Sequence, residues 1–225
     1  MLADSGGDWH LLVVADGMGG HRAGDVASRE ATDAFAEAVG PELAGDVDPA
    51  DALETGVEAA HAHLEDLVRE NPEYEGMGTT LVAALLRGDD VWIVNVGDSR
   101  AYHYAADDLE QVTVDHTVVQ ELVEAGEITP PEAKLHAKRN VLTQSVGADD
   151  EPSPDVFELD LEGTLLLCSD GLPEAIGEPG IATVLARTEP IEELAEEIVE
   201  TAENAGASDN ITVALAAEAV TDPLE

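Results

Sequence analysis

The chain has 225 residues, with 50 Asp and Glu against 9 Lys and Arg, a formal net charge of −41. Nucleic acid and anionic membrane surfaces are excluded as partners, because both demand clustered cations and the only lysines are Lys134 and Lys138. The single cysteine, Cys168, excludes an internal disulfide framework and a thiolate metal cage, while 44% apolar residues keep a buried core within reach and disorder out of the question.

The segment MLADSGGDWHLLVV has no basic n-region, so no signal peptide is read and a cytoplasmic protein is expected. Leu11–Ala15 is a short apolar run that predicts a buried strand running into the turn at Asp16-Gly17. Ala23–Val39 predicts a helix with Ala27, Ala31, Ala34, Phe35 and Ala38 on one face, stopped by Gly40-Pro41. A second helix starts at Asp48-Pro49 and ends before Pro72, its Leu53, Val57, Ala60, Leu64 and Leu67 recurring at helical spacing. His61 and His63 fall on this helix and read as surface or rim.

The period then changes. Thr79–Leu86, Val91–Val96 and Arg100–Tyr104 predict three strands of an antiparallel meander, turned at Arg87–Asp90 and at Gly97-Asp98-Ser99. Thr117 and Gln120 predict a capped short helix closed by Gly126, and Thr129-Pro130-Pro131-Glu132 predicts another. Thr164–Cys168 is a buried strand ending at Ser169-Asp170-Gly171, Pro190–Asn204 a helix, and Ile211–Leu215 a last strand after Ser208-Asp209-Asn210. These elements imply one domain of α+β type over residues 1–225, with antiparallel sheets covered by helices.

Asp16, Asp98 and Asp170 each stand beside a glycine after an apolar strand, and Asp209 stands just before one. Carboxylates at buried strand ends cannot all stay ionised without a compensating cation. If the sheets bring them together, an all-oxygen donor set suits Mg²⁺ or Mn²⁺, and a pair of such ions suits attack of water on phosphorus. The alternative is a set of Asx turns between strands.

Seven segments in order carry a resemblance: DGMGGHRAGDVAS from Asp16, GTTLVAALL at Gly78–Leu86, NVGDSRAY at Asn95–Tyr102, DHTVVQELVEAGEITPPEA at Asp115–Ala133, RNVLTQSVG at Arg139–Gly147, LLLCSDGL at Leu165–Leu172 and SDNITV at Ser208–Val213. Together they resemble the metal-dependent type-2C (PPM) Ser/Thr protein phosphatases in their prokaryotic single-domain form. The resemblance implies a four-layer α-β-β-α sandwich with two central antiparallel sheets. It implies Asp16 bridging two Mn²⁺ or Mg²⁺ ions, the Gly17 carbonyl on one of them, Asp170 and Asp209 on the second, and Asp98 helping to hold a third, weaker ion. A metal-bridging hydroxide would attack phosphoserine or phosphothreonine in protein substrates. Residues 115–140 would form a mobile flap where substrates are sorted, and a monomer is expected.

The family's opening R-x-x-N-[EQ]-D segment, with its phosphate-binding arginine, is not found before Asp16. The expectation is a start codon placed too late or else a truncated form, with a missing first strand and an exposed sheet edge, and with Asp4 and Asp8 on a loop. A catalytically weak or inert relative that binds partners is the alternative. Arg22 and Arg139 are candidate stand-ins for the arginine, while Arg100 is read as an anchor for a carboxylate. Met18 stands where some relatives carry a proton-donating His. His21 is either a substitute donor or a turn histidine holding the glycine-rich loop. Cys168 is read as core. The acids are spread along the whole chain, which points to a high-salt cytoplasm where self-repulsion is screened.

Overall fold

The computed structural model describes residues 2–4, 9–45, 47–148 and 150–217. One sheet has the order β1 (Leu2–Asp4), β2 (Trp9–Val14), β5 (Leu81–Arg87), β6 (Asp90–Val96) and β9 (Asp155–Asp160). The second has the order β11 (Val213–Ala217), β10 (Thr164–Cys168), β7 (Arg100–Ala105) and β8 (Asp108–Gln111). A short ladder joins β3 (Gly17–Met18) to β4 (Gly78–Thr79). All pairings are antiparallel.

Strand parity explains the layers. Successive side chains point to opposite faces, so Leu11, Val13, Leu81, Ala83 and Leu85 pack on α1 (His21–Leu43) and α2 (Pro49–Glu70) around Phe35 and Leu53. Their neighbours Leu12, Val14, Val82, Ala84 and Ile93 turn the other way and meet Leu165 and Leu167 of the second sheet. Leu166, Tyr102 and Cys168 leave that sheet on its far face and meet α5 (Gly171–Leu185) and α6 (Ile191–Asn204) through Leu172, Ile181, Leu194 and Ile198. Four layers result, α-β-β-α. The unbroken apolar runs LVAALL and LLLC follow from it, since strands covered on both faces have no side left for polar residues.

Several expectations need correction. The three predicted strands are not one meander: β5 pairs with β6, but the chain crosses at Gly97-Asp98-Ser99 and β7 pairs with β10 in the other sheet. Helix α1 runs one turn past its predicted stop, with Pro41 in its last turn, and closes in tighter turns from Ala44 and Gly45 back to Pro41 and Glu42. Asp4 lies in β1 rather than on a loop, and β1 covers the β2 edge over His10–Leu12; Asp8 lies outside the described residues. His61 is buried rather than at the rim, its Nδ1 accepting from the Gly147 N–H at 3.1 Å. His63 does sit near the surface, bonded to Glu30 at 3.1 Å.

Between β8 and β9 the chain forms two small helices, α3 (Val118–Glu124) and α4 (Pro130–Ala133). Thr117 Oγ1 caps α3 by accepting from Gln120 N at 3.2 Å, and Glu132 closes α4 by accepting from Thr129 N at 2.8 Å. Charge is handled at the surface: Glu192, Glu193, Glu196 and Glu200 line the exposed face of α6. Among the described residues no helix is long and apolar enough to cross a membrane.

Candidate active site

The acidic turns converge at one end of the two sheets because three backbone junctions hold them there. Asp16 follows β2 and is fixed through its own backbone. Its N–H donates to Thr80 Oγ1 at 2.9 Å, and its carbonyl accepts from both Thr80 N and Thr79 Oγ1 at 2.9 Å. Thr80 Oγ1 lies 2.6 Å from Ser99 Oγ, which ties the Asp16 turn to the Gly97-Asp98-Ser99 crossing. The Asn95 amide donates to the Gly97 and Val114 carbonyls at 3.2 Å and holds that crossing from below.

The second junction joins Asp16 to α1. A Cβ on Gly17 would stand 2.0 Å from the Gly24 carbonyl oxygen, and a Cβ on Gly24 would stand 2.5 Å from the Gly17 oxygen. Only glycine at both positions lets the first turn of α1 lie against the Asp16-Gly17 turn. The third joins Asp170 to Asp209. Ser169 N donates to the Thr212 carbonyl at 3.1 Å, Thr212 N donates back to Ser169 Oγ at 3.1 Å, and a Cβ on Gly171 would stand 2.5 Å from the Asn210 oxygen.

The four carboxylates feel one another. Burial first, then the charge of Asp209, raises Asp16 above the ordinary carboxylate range, while a hydrogen bond with Asp170 partly offsets this. Burial and then Asp98, Asp16, Glu174 and Asp209 push Asp170 up to about 7. Burial, then Asp115 and Asp16, push Asp98 up to about 6. Asp209 is exposed on its loop, where its Oδ1 accepts from Asn210 N at 2.8 Å. Asp16, Gly17 and Asp209 share the wall of a pocket of about 550 Å³ with Gly24, Asp25 and Glu203.

A family model described as Protein phosphatase 2C matches residues 2–216. The chain belongs to the protein phosphatase 2C family. It is 37% identical over 211 residues to the serine/threonine phosphatase stp of Listeria innocua, covering 91% of this chain and 83% of that one. The crystal structure of serine/threonine phosphatase Stp1 from Staphylococcus aureus matches with a TM-score of 0.83 and 39% identity, over 93% of this chain and 84% of that one. The catalytic domain of PstP in complex with 2 manganese ions matches with a TM-score of 0.79 and 38% identity, over 92% of this chain and 86% of that one.

The residues fit such a metal centre. The donor set is all oxygen, and the raised carboxyl pKa values of Asp16, Asp98 and Asp170 come from buried like charges, a cost that divalent cations remove. Among the described residues no three His, Cys, Asp or Glu side chains are closed up into a finished cage.

The other predicted residues separate clearly. Arg100 is a carboxylate anchor: Nε and Nη2 donate to Asp115 Oδ1 and Oδ2 at 2.8 and 2.6 Å, and Nη1 donates to Tyr102 Oη at 2.9 Å. Burial opposes its charge and the fork onto Asp115 more than restores it. Cys168 is fully buried, and burial pushes its thiol up to about 12, so it is core and not a nucleophile. Arg22, in the first turn of α1, and Arg139, in the segment after α4, are both exposed. The side chain of His21 lies outside the described residues.

Sequence reasoning missed the polar lattice under the site. Thr79, Thr80 and Ser99 sit inside the quoted motifs GTT and GDS, yet their role depends on contacts across 19 to 64 positions. His116 was missed in the same way: its Nδ1 accepts from Gly97 N at 3.2 Å and its Nε2 meets Asp155 Oδ2 at 3.1 Å, fastening the segment before α3 to the Asp98 turn and to β9.

Proposed function

We propose that the chain hydrolyses phosphoserine and phosphothreonine in proteins, with Mn²⁺ or Mg²⁺ held by Asp16, Asp170, Asp209 and the Gly17 carbonyl, and a weaker third ion near Asp98. The observation that carries this is the electrostatic cluster of Asp16, Asp98, Asp170 and Asp209, built from four separate turns, in a chain of this family. The chemistry that paired divalent cations supply when bound is a lowered pKa for water and an offset of charge on the phosphoryl oxygens.

The chain's own contribution is position. Thr79 and Thr80 hold the Asp16 backbone so that its carboxyl group points from a fixed turn. Gly171 against Asn210 brings the Asp170 and Asp209 turns into contact, and Arg100, forked onto Asp115, offsets part of the negative charge beside Asp98. Met18 cannot carry a proton to the leaving oxygen; we assign that proton to water, with His21 as the alternative donor. The alternative of an inert binding relative has no support among the relatives, which are named serine/threonine phosphatases, and the chain retains Asp16, Asp98, Asp170 and Asp209.

We place the protein in a high-salt cytoplasm, opposing a protein kinase, because solvated acids cover the helices at a net charge of −41. Phosphopeptide hydrolysis with Mn²⁺ in KCl tests the activity. Asp16→Ala is expected to lower kcat by about a thousandfold, the scale of several kcal/mol of charge stabilisation, and chelation by EDTA is expected to stop turnover. A wild-type rate in Asp16→Ala would exclude the proposed centre.

A further inference from the structure

The chain's nine cations are not dispersed like its acids. Five are engaged in the fold. Arg29 pairs with Glu30, Arg69 with Asp66, Arg100 with Asp115 and Arg187 with Glu197, while Arg87 lies over the Trp9 ring at 4.3 Å. Three of the remaining four, Lys134, Lys138 and Arg139, fall within six residues on the flap. They are exposed and have no ion pair among the described residues. Glu132, the nearest acid before them, is occupied in accepting from Thr129 N and Oγ1. Leu135, between them, is 88% exposed.

These cations open the longest acid-free stretch of the chain. No Asp or Glu occurs from Ala133 to Ala148, although 50 acids in 225 residues put one at every four to five positions on average. The stretch is tied to the active site twice. Thr143 N donates to the His116 carbonyl and His116 N to the Gly97 carbonyl, each at 2.9 Å, next to Asp98. Val146 exchanges backbone hydrogen bonds with Thr79 at 2.9 and 3.0 Å, and the Thr79 hydroxyl holds the Asp16 carbonyl. Arg139 is four residues from Thr143, so its Cα lies within roughly 14 Å of that anchor.

An acidic protein surface is repelled by most of this molecule, and a local reversal of sign decides where an anionic chain approaches. We infer that residues 133–148 form a docking track for substrates whose phosphoresidue is flanked by Asp or Glu. Lys134, Lys138 and Arg139 meet the flanking carboxylates, and Leu135 meets an apolar side chain between them. This rests on the phosphatase reading and adds to it a substrate class.

The test uses the full chain at the lowest KCl concentration that keeps it folded. Two short phosphoserine peptides, identical except for Glu or Gln at the flanking positions, are compared by fluorescence anisotropy in EDTA and by kcat/KM with Mn²⁺. Wild type is expected to favour the Glu peptide by roughly fivefold or more, the worth of two or three screened charge pairs, and the preference is expected to shrink as KCl rises. Lys134→Glu with Lys138→Glu is expected to invert it and to favour a Lys-flanked peptide. An equal preference in wild type and the double variant, or none in wild type, overturns the docking track. Hydrolysis of both peptides in that case leaves the phosphatase reading standing. Binding preference without any hydrolysis strikes the phosphatase reading and leaves the track.

Discussion

Asp170→Asn is expected to stabilise the metal-free protein while abolishing its phosphatase activity. Asp170 is pushed up to about 7 by burial and by Asp98, Asp16, Glu174 and Asp209. Its folded pKa therefore lies above the ordinary aspartate value of 3.8. The sign follows from linkage: the unfolded chain releases its proton first, so stability is lost as pH rises from near 4 through about 7. Asparagine fills similar space without the charge. In EDTA at pH 8 the variant is expected to exceed wild type by on the order of 1–2 kcal/mol, discounted for the partial exposure of the site, and the excess is expected to shrink to a small fraction of that near pH 4. Calorimetric melts at the two pH values give the comparison. A variant less stable than wild type at pH 8, or one that keeps full turnover with Mn²⁺, contradicts the assignment of Asp170 to a cation-dependent cluster.

The second large effect concerns salt. At 0.1 M KCl the screening length is ~10 Å, so acids on neighbouring helix faces repel one another, whereas at ~3 M it falls to less than the spacing between adjacent side chains. The exposed rows Asp51, Glu54, Glu58, Glu65 on α2 and Glu192, Glu193, Glu196, Glu200 on α6 have few cations to offset them. Raising KCl between those limits is expected to add several kcal/mol to the unfolding free energy, a rise of roughly 10 °C in Tm for a chain of this size. Thermal melts followed by circular dichroism measure it. Equal or greater stability in the dilute buffer contradicts the high-salt origin.

The layers were legible because burial on both faces leaves a chemical record. LLVV, LVAALL and LLLC are too uniformly apolar for half-exposed strands, and α2 shows its period through Leu53, Val57, Ala60 and Leu64, all buried. The crossing at Gly97 was not legible. A hairpin turn and a passage between sheets use the same small residues, and only the distant partner β10 distinguishes them. Helix α5 was hidden by its own composition. Gly177 breaks it at φ 65°, and Pro179 sits just beyond the kink, so GLPEAIGEPG reads as loop. Strands β8 and β9 lie at sheet edges and carry too many acids to resemble strands.

At the site, the carboxylates were readable because aspartate beside glycine at the end of an apolar strand is a chemical pattern. Their supports were not. Thr80 acts on Asp16 from 64 positions away, and the buried His61 is satisfied by Gly147, 86 positions away, which donates to it. Such pairings are properties of the packed sheets and have no local signature.

The most direct test is an anomalous-difference map from crystals of the full chain grown in MnCl₂. Two manganese peaks are expected between the Asp16, Asp170 and Asp209 carboxyl groups, one of them also within reach of the Gly17 carbonyl, and Asp16→Ala is expected to remove both. A map without a peak beside Asp16, at a concentration that supports phosphopeptide hydrolysis in solution, contradicts the account.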